Sequence, residues 1–216
     1  MIFRDRTDAG RQLGRYLAER LGERGRDVIV LAIPRGGVVV AVPVAESLDA
    51  ALDVTVPRKL GAPGNPELAI GALAVADGED IVVLNPRTIE WLRVPQSHIE
   101  RTVEAERSEI ARRVHEYRGA RPAEPLAGRT VVIVDDGLAT GLTAQAAAAA
   151  VQRQQPRRVI VAVPVAPRSA LQEFAAHGIT LEAAETPSPF EAVGRFYESF
   201  PPVEDDEVRA LLSARK

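Results

Sequence analysis

The chain has 216 residues, 46% hydrophobic and 26% charged, with a formal net charge of −3. That length and balance suit one soluble α/β domain with a full core and one elaboration, and the small negative charge argues against a nucleic-acid partner held by bulk charge. There is no cysteine, which excludes disulfides, thiolate catalysis and cysteine metal sites. The N-terminus lacks a signal-peptide apolar core, and no apolar run approaches the roughly 18 residues of a membrane span. No membrane partner and a cytoplasmic location are the expectation.

In chain order, Leu13, Leu17 and Leu21 form a helical stripe that predicts a helix over residues 7–24. Residues 28–33 are a continuous apolar run closed by Pro34, the pattern of a buried strand. A crossover helix over 38–48 should follow, bent at Pro43, which removes a helical hydrogen bond. Residues 53–56 predict a second strand. Residues 61–67, GAPGNPE, predict a Gly/Pro-rich mobile loop. Strands over 70–76 and 81–84 are joined by Asp77-Gly78-Glu79-Asp80, a hairpin signal. Ile99, Val103, Ile110, Val114 and Tyr117 mark a long amphipathic helix, with charges, His98 and His115 on its polar side. Trp91 is expected as a core anchor nearby. After a connector come a strand over 131–135, a helix over 144–151, a strand over 159–163, a helix over 169–176, a strand over 180–184 and a C-terminal helix over 204–212.

This alternation predicts an α/β fold with a single doubly wound, mostly parallel sheet. Residues 77–128 read as an insertion holding a hairpin and a long helix, and residues 185–216 as a small C-terminal hood. No domain boundary is evident.

The richest stretch is VVIVDDGLATGLT, residues 131–143. Four β-branched residues form a buried strand that delivers Asp135 and Asp136 to its C-terminal edge. Gly137, Ala139, Thr140, Gly141 and Thr143 form a small-residue turn before a helix. Backbone N–H groups can close there around a phosphate, in the favourable field of the helix N-terminus. Two acids beside a phosphate cradle suit a ligand with hydroxyls near its phosphate, as in a ribose 5-phosphate.

These residues resemble the signature of the type I phosphoribosyltransferases: four apolar residues, two acids, then a Gly/Ala/Thr-rich turn. The resemblance implies a Rossmann-like core. It implies that Asp135 and Asp136 hold the 2- and 3-hydroxyls of phosphoribosyl pyrophosphate. Gly137, Ala139, Thr140, Gly141, Leu142 and Thr143 would then wrap the 5-phosphate. Pro34-Arg35-Gly36-Gly37 fits the pyrophosphate loop, with a cis peptide at Pro34–Arg35. Arg35, Arg58 and Lys59 would act on the pyrophosphate, and Glu67 would position the loop or a metal. The segments PRGG, RKLGAPGNPELAIGA, VDDGLATG and AVGRFY further resemble a bacterial group of stand-alone predicted phosphoribosyltransferases.

The implied reaction moves a 5-phosphoribosyl group to a nitrogenous acceptor and releases pyrophosphate. Mg²⁺ is the implied cofactor, held mainly by ligand oxygens and water, with no dedicated protein cage. A homodimer is implied too, and the apolar stripe from Ile99 to Val114 is its candidate surface. Family members that use 6-oxopurines carry an acid at the position of Ala139 and often lysine at that of Leu142; both are absent, which points away from hypoxanthine and guanine. The alternative is a regulatory protein that binds phosphoribosyl pyrophosphate or a nucleotide without turnover. Phe190, Phe196 and Tyr197 are read as either a hood over a flat acceptor or ordinary core.

Overall fold

The structure is a computed structural model that describes residues 3–22 and 25–214. Helix α1 (Arg6–Leu21) starts where the Asp5 carboxylate accepts from the backbone N–H of Asp8, and it ends at Gly22 in the left-handed region. The predicted tail of this helix at Arg24 lies outside the described residues. Strand β1 (Val28–Ala32) leads into α2 (Gly36–Ser47) and then β2 (Ala51–Val54). Helix α2 begins at the two glycines, earlier than predicted, and runs through the buried Pro43. A side chain at Gly10 would stand 2.4 Å from the carbonyl of Val40 and 2.5 Å from Pro43 Cγ. Pro43 is therefore part of the surface on which α1 lies.

Next come β3 (Arg58–Ala62), β4 (Asn65–Ala76), β5 (Glu79–Leu84), α3 (Pro86–Leu92) and α4 (Gln96–Arg118). The rest of the chain gives β6 (Thr130–Val134), α5 (Leu142–Arg153), β7 (Arg158–Val165), α6 (Arg168–Ala176), β8 (Thr180–Glu185) and α7 (Asp205–Ser213). Five strands form a parallel sheet in the order β2-β1-β6-β7-β8. Val28, Val30 and Ala32 of β1 pack with residues of α1, α2 and α7, whereas Ile29 and Leu31 pack with residues of α5 and α6. This is the doubly wound core the alternation predicts, its strands buried on both faces.

The remaining strands are not an edge of that sheet. They form their own antiparallel sheet, β3-β4-β5, so the elaboration begins at Arg58 and not near residue 77. The GAPGNPE segment, expected as a loop, is correspondingly mostly strand. Gly61 and Ala62 end β3, Asn65 opens β4, and the turn closes at Pro63-Gly64, with Gly64 at φ 72°. At the second hairpin, Asp77 and Gly78 both take positive φ, as an Asp-Gly turn demands.

Ala72, Ala74 and Ala76 of β4 lie against Leu142, Ala146 and Ala150 of α5. Strand side chains alternate, so Leu73 and Val75 take the other face and join the cluster holding Ile99 and Ile110 of α4. Val103 and Val114 pack against the same cluster, so the stripe on which the dimer expectation relies is used inside the chain. Arg118 anchors the end of α4 to the buried Asp53 of β2 at 3.0 Å. Trp91 is not a core anchor: it sits on α3 and is 77% exposed. No helix among the described residues is long and apolar enough to cross a membrane.

Because the antiparallel sheet meets α5 through alanines, the two approach closely and leave no room for a larger side chain. Ala146→Leu should destabilise the fold by about 1–3 kcal/mol through overpacking. Urea unfolding monitored by circular dichroism measures this; an unchanged midpoint would mean the interface is loose.

Candidate functional site

The strand order has one reversal. From β1 the chain moves outward to β2, and from β6 it moves the other way to β7 and β8. Open α/β sheets form a crevice at such a reversal, beyond the carboxyl ends of the two central strands. The PRGG turn follows β1 and the acid pair follows β6, so the reversal brings two predicted segments together.

The contact is intimate. A Cβ on Gly36 would lie 1.9 Å from Asp136 Oδ2, and one on Gly37 would lie 3.1 Å from Asp135 Oδ1. The two glycines are required by the carboxylates beside them as much as by any ligand. The Pro34–Arg35 peptide is cis, as the resemblance implies. Asp135 Oδ1 accepts from the backbone N–H of Asp136 at 2.8 Å.

Asp136 is further held from two directions. Arg6 Nε donates to its Oδ2 at 2.8 Å, and the Tyr197 hydroxyl donates to its main-chain carbonyl at 2.6 Å. Arg6 also donates to the carbonyl of Pro201 at 2.7 Å, and its guanidinium lies 3.6 Å from the centre of the Phe200 ring. Neither Arg6 nor Phe200 stands out by motif. One signal was available: Arg6 is in register with the buried stripe Gly10, Leu13, Leu17 and Leu21 of α1, and a cation on a buried face needs a partner.

Burial pushes the Asp135 carboxyl well above the usual carboxylate range, and the neighbouring Asp136 adds to the shift. Burial raises Asp136 as well, but the Arg6 guanidinium opposes that rise. Burial likewise lifts the Tyr197 hydroxyl well above its ordinary value, with the Asp136 carboxylate contributing. Arg6 thus favours ionisation of Asp136 over that of Asp135.

Beyond the acids, Ala139 and Thr140 are exposed and Thr143 is half-buried. Gly141 precedes α5 at φ 72°, with Phe174 so close that a Cβ would stand 2.7 Å from its ring. No side chain caps α5. The orphan N–H groups of its first turn remain available to an anion. The Leu142 side chain is not part of that cradle, since it packs into the alanine cluster. Gly137 is set by close approach too: a Cβ there would stand 2.5 Å from Val193.

The predicted cations lie further out. Arg58 and Lys59 line a cleft of about 430 Å³ with Gly61, Glu67, His98 and Thr102. Lys59 stands opposite Ala72 on β4, and Ala72 packs with Leu142 of α5, whereas the far wall of the cleft is His98, Thr102 and Glu106 of α4. Each cation already has a carboxylate partner: Lys59–Glu67 at 3.0 Å, Arg58–Glu106 at 2.7 Å and Arg35–Glu204 at 3.5 Å. His98 is not merely a surface residue. Its Nε2 donates to the carbonyl of Gly61 at 2.9 Å and ties α4 to the hairpin. His115 and His177 are exposed. A more enclosed cavity of about 340 Å³, walled by Leu31, Val54, Val75, Ile110 and Val151, holds none of the predicted site residues and lies beside the C-terminal end of α5.

The aromatic segment divides. Tyr197 is buried against Phe3, whereas Phe190 and Phe196 pair at 5.0 Å between ring centres and stay half-buried.

A profile of the "Phosphoribosyl transferase domain" matches residues 5–182, which contain the acid pair, the PRGG turn and both hairpin cations. The chain belongs to this family. Two Mycobacterium tuberculosis proteins, "Putative phosphoribosyl transferase Rv0571c" (strain H37Rv) and "Putative phosphoribosyl transferase MT0597" (strain CDC 1551), are each 43% identical over 98% of the chain. The chain spans 46% of the length of each. The crystal structure of TT1426 from Thermus thermophilus superposes with a TM-score of 0.81 at 44% identity, covering 100% of this chain and 99% of that one. The family match ends before the segment that carries Tyr197, Phe200 and Pro201.

The raised Asp135 carboxyl has a consequence for stability. A carboxyl whose folded pKa exceeds its unfolded value binds protons more tightly when folded, so its contribution is most favourable below the unfolded pKa of about 3.9 and is lost as pH rises through the folded value. Asp135→Asn should therefore raise the melting temperature at pH 7, with the gain shrinking toward zero below about pH 4. Scanning calorimetry across that range reads the outcome, and a lower melting temperature at pH 7 contradicts the assignment.

Proposed function

We propose that this protein transfers a 5-phosphoribosyl group from phosphoribosyl pyrophosphate to a nitrogenous acceptor and releases pyrophosphate. The observation that carries the reading is the acid pair at the sheet reversal, beside an uncapped helix start built of small residues. Asp135 and Asp136 would receive the ribose hydroxyls, and the turn over 139–143 would hold the 5-phosphate through N–H and threonine hydroxyl donors. Carbon 1 develops oxocarbenium character in such transfers, so the protein's contribution is positioning and charge stabilisation.

Arg35, Arg58 and Lys59 are the proposed partners of the leaving pyrophosphate. Glu67 and Glu204 are 90% and 75% exposed, so their ion pairs are worth at most about 1 kcal/mol and yield readily to a polyanion. Mg²⁺ would neutralise part of the pyrophosphate charge. The cleft beside His98 and Thr102 gives the pyrophosphate side a bounded volume. The alternative, a regulatory binder without turnover, uses the same acid pair and phosphate turn, and any cations it keeps would serve affinity alone.

The direct test is pyrophosphate release from phosphoribosyl pyrophosphate with Mg²⁺ across a panel of nitrogenous acceptors. Asp136→Asn should weaken phosphoribosyl pyrophosphate binding by about 1.5–3 kcal/mol in calorimetry, the worth of a charge-assisted hydrogen bond. Lys59→Ala should lower kcat by about 100-fold, more than it raises KM, because the leaving group gains charge in the transition state. A change confined to affinity would favour the regulatory reading, and unchanged kinetics would remove Lys59 from the site.

A further inference from the structure

We propose that Arg6 is a positioning residue for the acid pair: it holds Asp136 as the charged, oriented member and locks the C-terminal segment onto the site. The assignment rests on the phosphoribosyl pyrophosphate reading in so far as it names the ligand, but the Arg6–Asp136 link can be tested without one.

The geometry is specific. Arg6 is 8% exposed and has three engagements: Asp136 Oδ2, the carbonyl of Pro201 and the face of Phe200. A planar guanidinium can serve all three at once, donating in its plane and stacking through its face; an ammonium cannot. The Oδ2 contact decides how Asp136 meets a ligand. With Oδ2 held by Arg6, the carboxylate plane is fixed before a ligand arrives. Gly36 leaves just enough room for this arrangement, since a Cβ there would lie 1.9 Å from Oδ2 and 2.8 Å from Arg6 Nε.

The charged and titratable groups facing Asp136 are Arg6 from α1, Asp135 beside it and Tyr197 from the C-terminal segment, while α2 presents its N-terminus at Gly36. Arg6 is the cation among them. Without it, two adjacent half-buried carboxylates would have only a helix N-terminus and neutral donors for company, and Asp136 would lose its charge at a higher pH. Tyr197, Phe200 and Pro201 lie outside the region matched by the family profile. The clasp therefore joins the family core to a segment beyond it.

The test compares Arg6→Gln and Arg6→Lys with wild type, first by NMR titration of the side-chain carboxyl carbon of Asp136 in the free protein. Arg6→Gln should raise the midpoint of Asp136 by about one to three pH units, the reverse of the usual effect of a neighbouring cation. Arg6→Lys should leave that midpoint near the wild-type value, because the charge is kept. Calorimetry with phosphoribosyl pyrophosphate and Mg²⁺ then follows binding against pH. The acidic limb should move up in Arg6→Gln, whereas Arg6→Lys should bind several-fold more weakly at every pH because the fork and the stacking are lost. In an Asp136→Asn background, Arg6→Gln should no longer move the limb. A folded Arg6→Gln protein with a wild-type Asp136 midpoint overturns the proposal. Should Arg6→Gln fail to fold, Arg6→Lys decides: a shifted midpoint or wild-type affinity overturns it. Wild-type protein that binds no phosphoribosyl pyrophosphate at any pH would sink the proposed function, and the carboxyl titration would still decide the role of Arg6.

Discussion

Two carboxylates adjacent in sequence, both half-buried at the end of β6, set the terms for everything around them. Charge of one sign cannot be concentrated in a buried crevice without compensation. Here compensation comes from three sides. Asp136 donates its own N–H to Asp135. The glycine turn lets the N-terminus of α2 approach within contact distance. Arg6 arrives from the first turn of α1, held flat by Phe200 and Pro201. Each requires a different part of the chain to close on the same point, so the site and the fold are assembled by one constraint.

The same reasoning explains the glycines. Gly36 and Gly37 flank the acids with no space for a side chain, and Gly137 and Gly141 do so against Val193 and Phe174. A turn proposed to bind phosphate invites explanation through its ligand, but these positions are already constrained by what touches them within the chain.

The elaboration carries the second set of charges. An all-alanine face on β4 lets the antiparallel sheet settle closely on α5, whose start is the proposed phosphate turn. Lys59 rides on the strand beside that face. Alanine at the interface sacrifices buried area for a short approach, and the loss is made good on the opposite face, where Leu60 and Leu73 pack with α4. His98 and Arg118 then fasten α4 at either end, to the hairpin and to β2.

Much of this was legible in the primary sequence. The apolar runs at Val28–Ala32 and Thr130–Val134, the Asp-Asp pair and the small-residue turn specify a parallel core that opens a helix beside two acids, because strand burial and turn chemistry are local properties. Asp77-Gly78 named its own hairpin for the same reason. What could not be read were facts of pairing at long range. Whether residues 58–84 extend the main sheet or form a second one depends on which strand edges meet. Whether GAPGNPE swings free or turns tightly depends on the partner β4 offers β3. Trp91 looked like core because it is large and apolar, but burial is decided by what covers a residue, and little among the described residues covers it. Arg6 is the clearest case: its neighbours in sequence say only that it lies on a buried face of α1, while its partners stand 130 and 195 positions away. The sequence determined the local chemistry of the acid pair and its turn. Only the tertiary structure decided which cation neutralises that pair, because a buried charge is matched by whatever the fold carries to it.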